Sequence, residues 1–321
     1  MDYSKLNDII KSSKNILIIS HVNPDGDTLG SMCGLYSAIL ENYKKRCDML
    51  AISKIPDVYS YLPHLSDVKH LDDVDKSREY DLVINVDVAS IDRICDAKIL
   101  FDKAKFNVNI DHHKTNNAYG KLNFINPGAS STGEVLFECF SRMGWKVNLN
   151  TAVCIYTAIL TDTGSFRFDN TKPSTFETAS KLVEIGVNPS DIYKKVYESD
   201  SKTLVIFQAH CISKAKFLND DKIAYTLVYK KDMEKFGAGD DCMEGLTEKL
   251  RAIVTTRIAF VAKEMKSGGT KISMRSKFAD VAEICGIFGG GGHKYAAGCT
   301  IKAPVEDAAR KILEEIKKHE I

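Results

Sequence analysis

The sequence predicts an α/β protein, with a mostly parallel N-terminal sheet flanked by helices and a smaller C-terminal α/β domain. Three observations carry this. Strand-length apolar runs alternate with helical periodicity through the first half of the chain. A pair of helices separated by turn residues follows. A second strand–helix pattern then fills the remainder. At 321 residues the chain is long enough for two domains of roughly 100–200 residues each.

The elements can be justified in order. NILIIS (15–20), MLAIS (49–53), LVINVDV (82–88), FNVNI (106–110) and LNFI (122–125) read as strands from their length and apolar, partly β-branched content. Leu29, Met32, Cys33, Tyr36, Ile39, Leu40 and Tyr43 recur at helical spacing, with Asp27 or Thr28 as the expected N-cap. SSTGEVLFECFSRMG opens with Ser131 and Glu134 at capping-box spacing and closes on Gly144. Residues 149–161 form a further apolar helix. Strands alternating with helices imply a parallel sheet. From 175 to 199 the chain reads as two helices broken at Gly186, Asn188 and Pro189. A strand (222–230), a helix (242–253), strands (257–265 and 270–278) and a helix running into four glycines (289–292) come next. The last helix carries Val305, Ala308, Ile312 and Ile316 on one stripe. The expected division is a first domain over 1–190, a helical linker over 191–207 and a second domain over 208–321.

Composition excludes several classes. Lys+Arg is 44 and Asp+Glu is 43, which argues against a protein coating long nucleic acid. Nine cysteines without a CxxC pair fit a reducing compartment and argue against a disulfide framework or zinc ribbon. No run approaches the roughly 18 apolar residues of a membrane span, and the polar N-terminus lacks a signal-peptide core. A cytoplasmic protein is expected.

Three predicted strands end in acid or imidazole. The first is followed by His21, Asp25 and Asp27, the third by Asp87, and the fourth by Asp111, His112 and His113. Asp162 ends the helix at 149–161. Open parallel sheets bind ligands beyond the carboxyl ends of their strands, so one crevice can collect all of these groups. Singly, each has a plainer reading: Asp27 as a helix cap, Asp87 as a turn residue, the histidines as surface groups. Together, so many carboxylates need a counter-charge, and no Lys or Arg lies within 21–31. Divalent ions supply it. Carboxylate and imidazole ligands without thiolate suit Mn²⁺, with Mg²⁺, Co²⁺ or Fe²⁺ as alternatives. Six candidates, His21, Asp25, Asp27, Asp87, His112 and Asp162, suit two ions bridged by a carboxylate.

TKISMRSKF (270–278) alternates. Ile272, Met274 and Phe278 share one face; Ser273, Arg275 and Lys277 share the other. The cationic face reads either as solvated or as a phosphate grip in which Arg275 binds bidentately.

HVNPDGD, NVD, DHHKTN and TDTGSF, in that order, together with the C-terminal FGGGGHKYAAG, resemble the DHH phosphoesterase superfamily with its DHHA1 domain. The resemblance spans nearly the whole chain, and the combination is far more specific than DHH alone. Length and the SMRS stretch are most similar to the group of nano-RNases that also dephosphorylate 3′-phosphoadenosine 5′-phosphate (pAp). The resemblance implies an active site in the cleft between the two domains. It implies His21, Asp25 and Asp87 on one metal, and Asp27, Asp87, His112 and Asp162 on a second. His113 would lie at the phosphate as a catalytic group, with Asp111 orienting a histidine. With the family match, Gly290, Gly291 and Gly292 read as an anion nest, joined by Ser273, Arg275 and His293 in holding substrate.

The expected function is hydrolysis of very short oligonucleotides, such as pGpG or pApA, to 5′-mononucleotides, and of pAp to AMP. A cyclic-dinucleotide (c-di-AMP) phosphodiesterase is the enzymatic alternative. A nucleotide-sensing module without catalysis is the alternative of another class. Expected partners are short single-stranded RNA or DNA and small nucleotides, with no long duplex and no membrane; a homodimer is left open.

Overall fold

Four residues of the first expected strand, 15–20, form β1 (Ile16–Ile19), with all four side chains buried. They do so in a computed structural model that describes residues 1–75 and 77–319. Ile16 and Ile18 pack into one core, Leu17 and Ile19 into another. Burial on both faces explains the unbroken apolar run, and each side chain contributes about 1.5–3 kcal/mol.

The first unit, Met1–Ser199, contains α1 (Tyr3–Ser12), β1, α2 (Gly26–Tyr43), β2 (Asp48–Ala51), β3 (Val68–His70), β4 (Leu82–Val86), α3 (Lys98–Lys103), β5 (Phe106–Asp111), β6 (Leu122–Ile125), α4 (Thr132–Met143), α5 (Leu149–Asp162), α6 (Pro173–Ile185) and α7 (Pro189–Tyr197). Its six strands are ordered β3-β2-β1-β4-β5-β6 and all neighbouring pairs are parallel. The short edge strand β3, mostly exposed, was not expected; its residues carry no apolar run to announce it. Helices α1, α2, α4 and α5 cover one face and α3 the other. The order reverses between β1 and β4, and that gap is the topological switch point where such sheets bind ligands.

Capping sets the helix limits. Ser131 accepts from Glu134 N at 3.1 Å, and Gly144 closes α4 in the left-handed region. The return half of the capping box lands one residue early: Glu134 accepts from the backbone and hydroxyl of Ser130, at 2.9 and 2.6 Å. The break between α6 and α7 falls at Gly186 (φ 119), with Asn188 capping α7.

The second unit, from Asp200 onward, contains α8 (Lys202–Ser213), β7 (Lys216–Leu218), β8 (Ile223–Val228), α9 (Lys230–Phe236), α10 (Leu246–Arg251), β9 (Ile258–Glu264), β10 (Thr270–Ser276), α11 (Val281–Ile287), β11 (Gly291–His293), β12 (Ala296–Ile301) and α12 (Val305–Ile316). The sheet order is β11-β12-β10-β9-β8-β7, mixed, with only β8–β9 parallel. Val305, Ala308, Ile312 and Ile316 are buried together, as their stripe requires. The expected helix over 242–253 begins only at Leu246, because Gly245 (φ 75) separates it from a 3₁₀ turn at Asp240–Met243. Phe278 is not on the core face of β10. The strand ends at Ser276, and Phe278 is 69% exposed. No helix among the described residues is long and apolar enough to cross a membrane.

Helices α2 and α5 pack at close range. A Cβ on Gly30 would stand 2.5 Å from Cys154 O and 3.0 Å from Ala158 N. Backbone cannot yield as a side-chain tip does, so Gly30→Val is expected to cost about 2–3 kcal/mol. A lowered urea midpoint would report it; an unchanged midpoint would show that the helices can separate.

Candidate metal centre

The loop after β1 turns through Asn23 in the left-handed region (φ 55) and delivers Asp25 as the N-cap of α2. Asp25 Oδ1 accepts from Thr28 N at 3.1 Å. The helix therefore starts before Asp27, and the expected cap at Asp27 or Thr28 is corrected to Asp25. Asp27, relieved of that task, caps a different helix. Its oxygens accept from Thr132 N at 2.8 Å, Gly133 N at 3.0 Å and Ser31 Oγ at 3.1 Å. The first two are N–H groups at the start of α4 that have no partner within their own helix, and the helix dipole favours an anion there.

Asp87 follows β4 in the left-handed region (φ 61), a conformation costing a non-glycine residue on the order of 1 kcal/mol or more. Its N–H donates to Ile110 O at 2.9 Å, which holds it there. The two carboxylate oxygens face different neighbours. Oδ2 lies 3.3 Å from His21 Nε2 and accepts from Thr28 Oγ1 at 2.6 Å. Oδ1 lies 3.8 Å from His112 Nε2 and accepts from Thr132 Oγ1 at 3.0 Å. His112 Nε2 is also 3.7 Å from Asp27 Oδ2 and 3.6 Å from Asp162 Oδ2. Three donor groups result among the described residues: His21 with Asp25 and Asp87, Asp27 with His112 and Asp162, and Asp87 with Asp111, His112 and His113; within each, ligand atoms lie within 4.8 Å of one another.

Asp111, His112 and His113 come at the end of β5. Asp111 Oδ1 accepts from His112 N (2.8 Å), His113 N (3.2 Å) and His113 Nδ1 (2.7 Å), and Oδ2 from Asn116 Nδ2 (2.5 Å). Both oxygens are committed, so Asp111 orients rather than ligates, and the ring it orients is that of His113.

Burial shifts the acids. Burial, then the charges of Asp87, Asp162 and Asp25, push Asp27 well above the carboxylate range. Burial also lifts Asp162 to about 6, against the opposing charge of His112. Burial would raise Asp87 too, but the hydrogen bond from His21 and the charges of the histidines hold it at about 2. The hydrogen bond to Asp111 raises His113 to about 9. Among the described residues, no Lys or Arg lies within ion-pair distance of Asp27, Asp87 or Asp162. The donor set fits such an ion: oxygens and nitrogens only, converging, with no cationic side chain between them. His21 Nδ1 is 2.8 Å from Val22 O, a partner that fixes a ring with Nε2 turned toward Asp87.

Several participants escape a reading of the sequence. Thr28 stands among His21, Asp25 and Asp87 with its hydroxyl 2.5 Å from His21 Nε2. Thr132 joins Asp27 to Asp87. Asn170 donates to Asp162 O at 3.0 Å and Oδ2 at 3.2 Å. Small polar residues at helix starts carry no signal of this kind. Asn116, inside DHHKTN, was within reach of the motif argument.

In the second unit Ser273, Arg275, Gly290, Gly291 and His293 line one cavity of about 690 Å³ with Lys271. Gly292 is not among its lining residues. A Cβ there would meet Ala296 O at 2.5 Å, and one on Gly290 would meet Gly298 O at 2.2 Å. These two glycines let the chain at β11 approach β12 closely. Gly291 alone of the three faces open space. Arg275 is already engaged: Nε donates to Glu248 Oε1 at 2.6 Å and Nη1 to Met274 O at 2.9 Å. Lys277 donates to Ile253 O at 2.7 Å, near the end of α10, so it belongs to the fold.

The DHH family N-terminal domain model matches residues 15–159, and the DHHA1 domain model matches residues 220–319. The chain is 31% identical to the bifunctional oligoribonuclease and PAP phosphatase NrnA of Bacillus subtilis, covering 95% of this chain and 96% of that protein. The chain belongs to the DHH–DHHA1 family. As such it is a phosphoester hydrolase. The Thermus thermophilus protein of the same description is 28% identical over 94% of this chain and 89% of its own length. An exopolyphosphatase-related protein from Bacteroides fragilis superposes with a TM-score of 0.92 at 26% identity, covering 98% of this chain and 95% of that one.

A carboxyl that holds a proton must lose it to bind a metal ion. With Asp162 at about 6 and Asp27 raised as well, Mn²⁺ affinity should rise with pH from about 5 to about 7, by up to about tenfold per unit for each proton displaced. Calorimetry in buffers of different ionisation enthalpy should show proton release near pH 6. A pH-independent affinity with no release would contradict the protonated state.

Proposed function

We propose that this DHH–DHHA1 protein hydrolyses very short oligonucleotides to 5′-mononucleotides and 3′-phosphoadenosine 5′-phosphate to AMP, using two divalent ions, Mn²⁺ first among them. The observation that carries the hydrolytic site is the split of Asp87, one oxygen toward His21 and the other toward His112. The substrate class is supported by end-to-end similarity to relatives described as oligoribonucleases and PAP phosphatases.

His21, Asp25 and Asp87 would hold one ion, and Asp27, Asp87, His112 and Asp162 the other. Ions held there supply positive charge to a phosphoryl group and acidify water. The remaining work falls to the chain. Asp111 fixes His113 by Nδ1, which leaves Nε2 to stabilise phosphoryl oxygens or to give a proton to the leaving oxygen. Asn170 holds the Asp162 carboxylate in place. Ser273, Arg275, Gly291 and His293 supply polar groups for a terminal phosphate or base. Near-balanced charge (44 Lys+Arg against 43 Asp+Glu) favours short substrates over long strands.

The test is a panel of pApA, pGpG, pAp, longer RNA, c-di-AMP and pyrophosphate with Mn²⁺. Mononucleotide from the dinucleotides and AMP from pAp are expected. Cleavage confined to c-di-AMP or pyrophosphate would overturn the assignment, and tight binding without turnover would make the chain a sensor. Asp87→Asn should lower turnover by about 10³-fold or more and reduce bound Mn²⁺; full activity in that variant would remove the bridging role.

A further inference from the structure

Two cysteines of the second unit meet beneath the glycine run. Cys285 lies near the end of α11 and Cys299 within β12. Both are free thiols of one buried core. Gly290 lies against both. Its N–H donates to Cys285 O at 2.9 Å, and a Cβ built on it would stand 2.4 Å from Cys299 Cβ. The two thiols share a hydrogen bond. Cys285 is fully buried, whereas Cys299 lines the cavity together with Ser273, Arg275 and Gly290. One sulfur is thus reached from the cavity, and the other stands behind it.

The pair is polarised. The hydrogen bond holds Cys299 below the ordinary thiol range although burial opposes it. The same bond, with burial, pushes Cys285 up. The thiolate is the nucleophile of cysteine chemistry, so the sulfur on the cavity side reacts first. A second thiol in contact with it is placed to resolve the product.

We propose that Cys299 and Cys285 form a reversible disulfide in the presence of peroxide, and that this bond weakens substrate binding in the cavity of Ser273, Arg275 and Gly290. The effect on binding rests on the phosphoester-hydrolase reading above; the bond does not. Cys299 sulfur attacks one oxygen of hydrogen peroxide, the O–O bond breaks, and the other oxygen leaves as water with the thiol's proton. Cys285 sulfur then attacks the Cys299 sulfenic acid. The S–O bond breaks, the S–S bond forms, and a second water leaves with the Cys285 proton. Two thiols lose two electrons and one peroxide is reduced to two waters.

The bond would reshape the cavity because two sulfurs in hydrogen-bond contact must close to about 2.05 Å. Strand β12 is held by β10 on one side and β11 on the other. The movement therefore falls on the short helix α11 and the glycines after it. Gly290 already abuts Gly298 O and Cys299, so a shift of α11 carries Gly289, Gly290 and Gly291, which line the cavity. In a reducing compartment such a bond is transient, as a sensor requires.

The test uses the full chain with hydrogen peroxide, followed by alkylation and peptide mapping by mass spectrometry. A cross-link between the Cys285 and Cys299 peptides, lost on treatment with dithiothreitol, is expected. In Cys285→Ser, Cys299 should instead be trapped as a sulfenic acid by dimedone. KM for a 5′-phosphorylated dinucleotide should rise a few-fold on oxidation of the wild type, return with dithiothreitol, and stay unchanged in oxidised Cys285→Ser. Absence of the cross-link in the wild type would overturn the proposal. So would a cross-link that leaves KM unchanged, or an equal rise of KM in Cys285→Ser. If the wild type hydrolyses no phosphoester, the functional reading fails, and the peptide map still decides whether the bond forms.

Discussion

Three carboxylates, Asp27, Asp87 and Asp162, converge on one nitrogen of His112 at 3.6–3.8 Å. Gathering like charges in a buried place is unfavourable unless something of opposite sign is brought there. The chain brings little. It offers the first N–H groups of α4 to Asp27, hydroxyls of Thr28 and Thr132 to Asp87, and imidazoles that share protons with the acids. Asp27 and Asp162 stay raised even so, through burial first and the neighbouring carboxylates after it. That gathering of acids and imidazoles could hold a metal ion, and the other features of the first unit keep these side chains in place.

The sheet order explains how residues far apart in sequence reach one point. Between β1 and β4 the direction of winding reverses, so the connections leaving these strands diverge and open a crevice at their carboxyl ends. His21 and Asp87 leave from those two strands, and Asp111 to His113 from β5 beside them. The close packing of α2 on α5 through Gly30 brings Asp27, on the first turn of one helix, within reach of Asp162, on the last turn of the other. Strain at Asp87 is the cost of turning a strand end sharply enough to aim both of its oxygens.

The residues with chemistry of their own were legible in the sequence. Acids and histidines placed after apolar runs stand out because a core strand has no other reason to end that way. β1, β4, β5 and β6 lie within two residues of the expected runs, and β1 and β4 are buried on both faces. What escaped depends on contacts between distant segments. Asp27 looks like a cap for its own helix and turns out to cap α4. Thr28, Thr132 and Asn170 are ordinary residues made important by the acids that lie across from them. The glycine run serves a purpose that sequence does not announce: Gly290 and Gly292 make room for a neighbouring strand, while Gly291 faces open space. Arg275 was expected free to grip a phosphate, and the sequence offered no sign of Glu248 beside it.

The claim that divalent ions are the counter-charge, and that Asp87 serves two of them, is most directly tested by anomalous diffraction at the manganese edge from crystals of the full chain grown with Mn²⁺. The account predicts two peaks, one beside His21 and Asp25 and the other beside Asp27, His112 and Asp162, each next to a different oxygen of Asp87. No peak among these residues, or peaks only elsewhere on the protein, would contradict it.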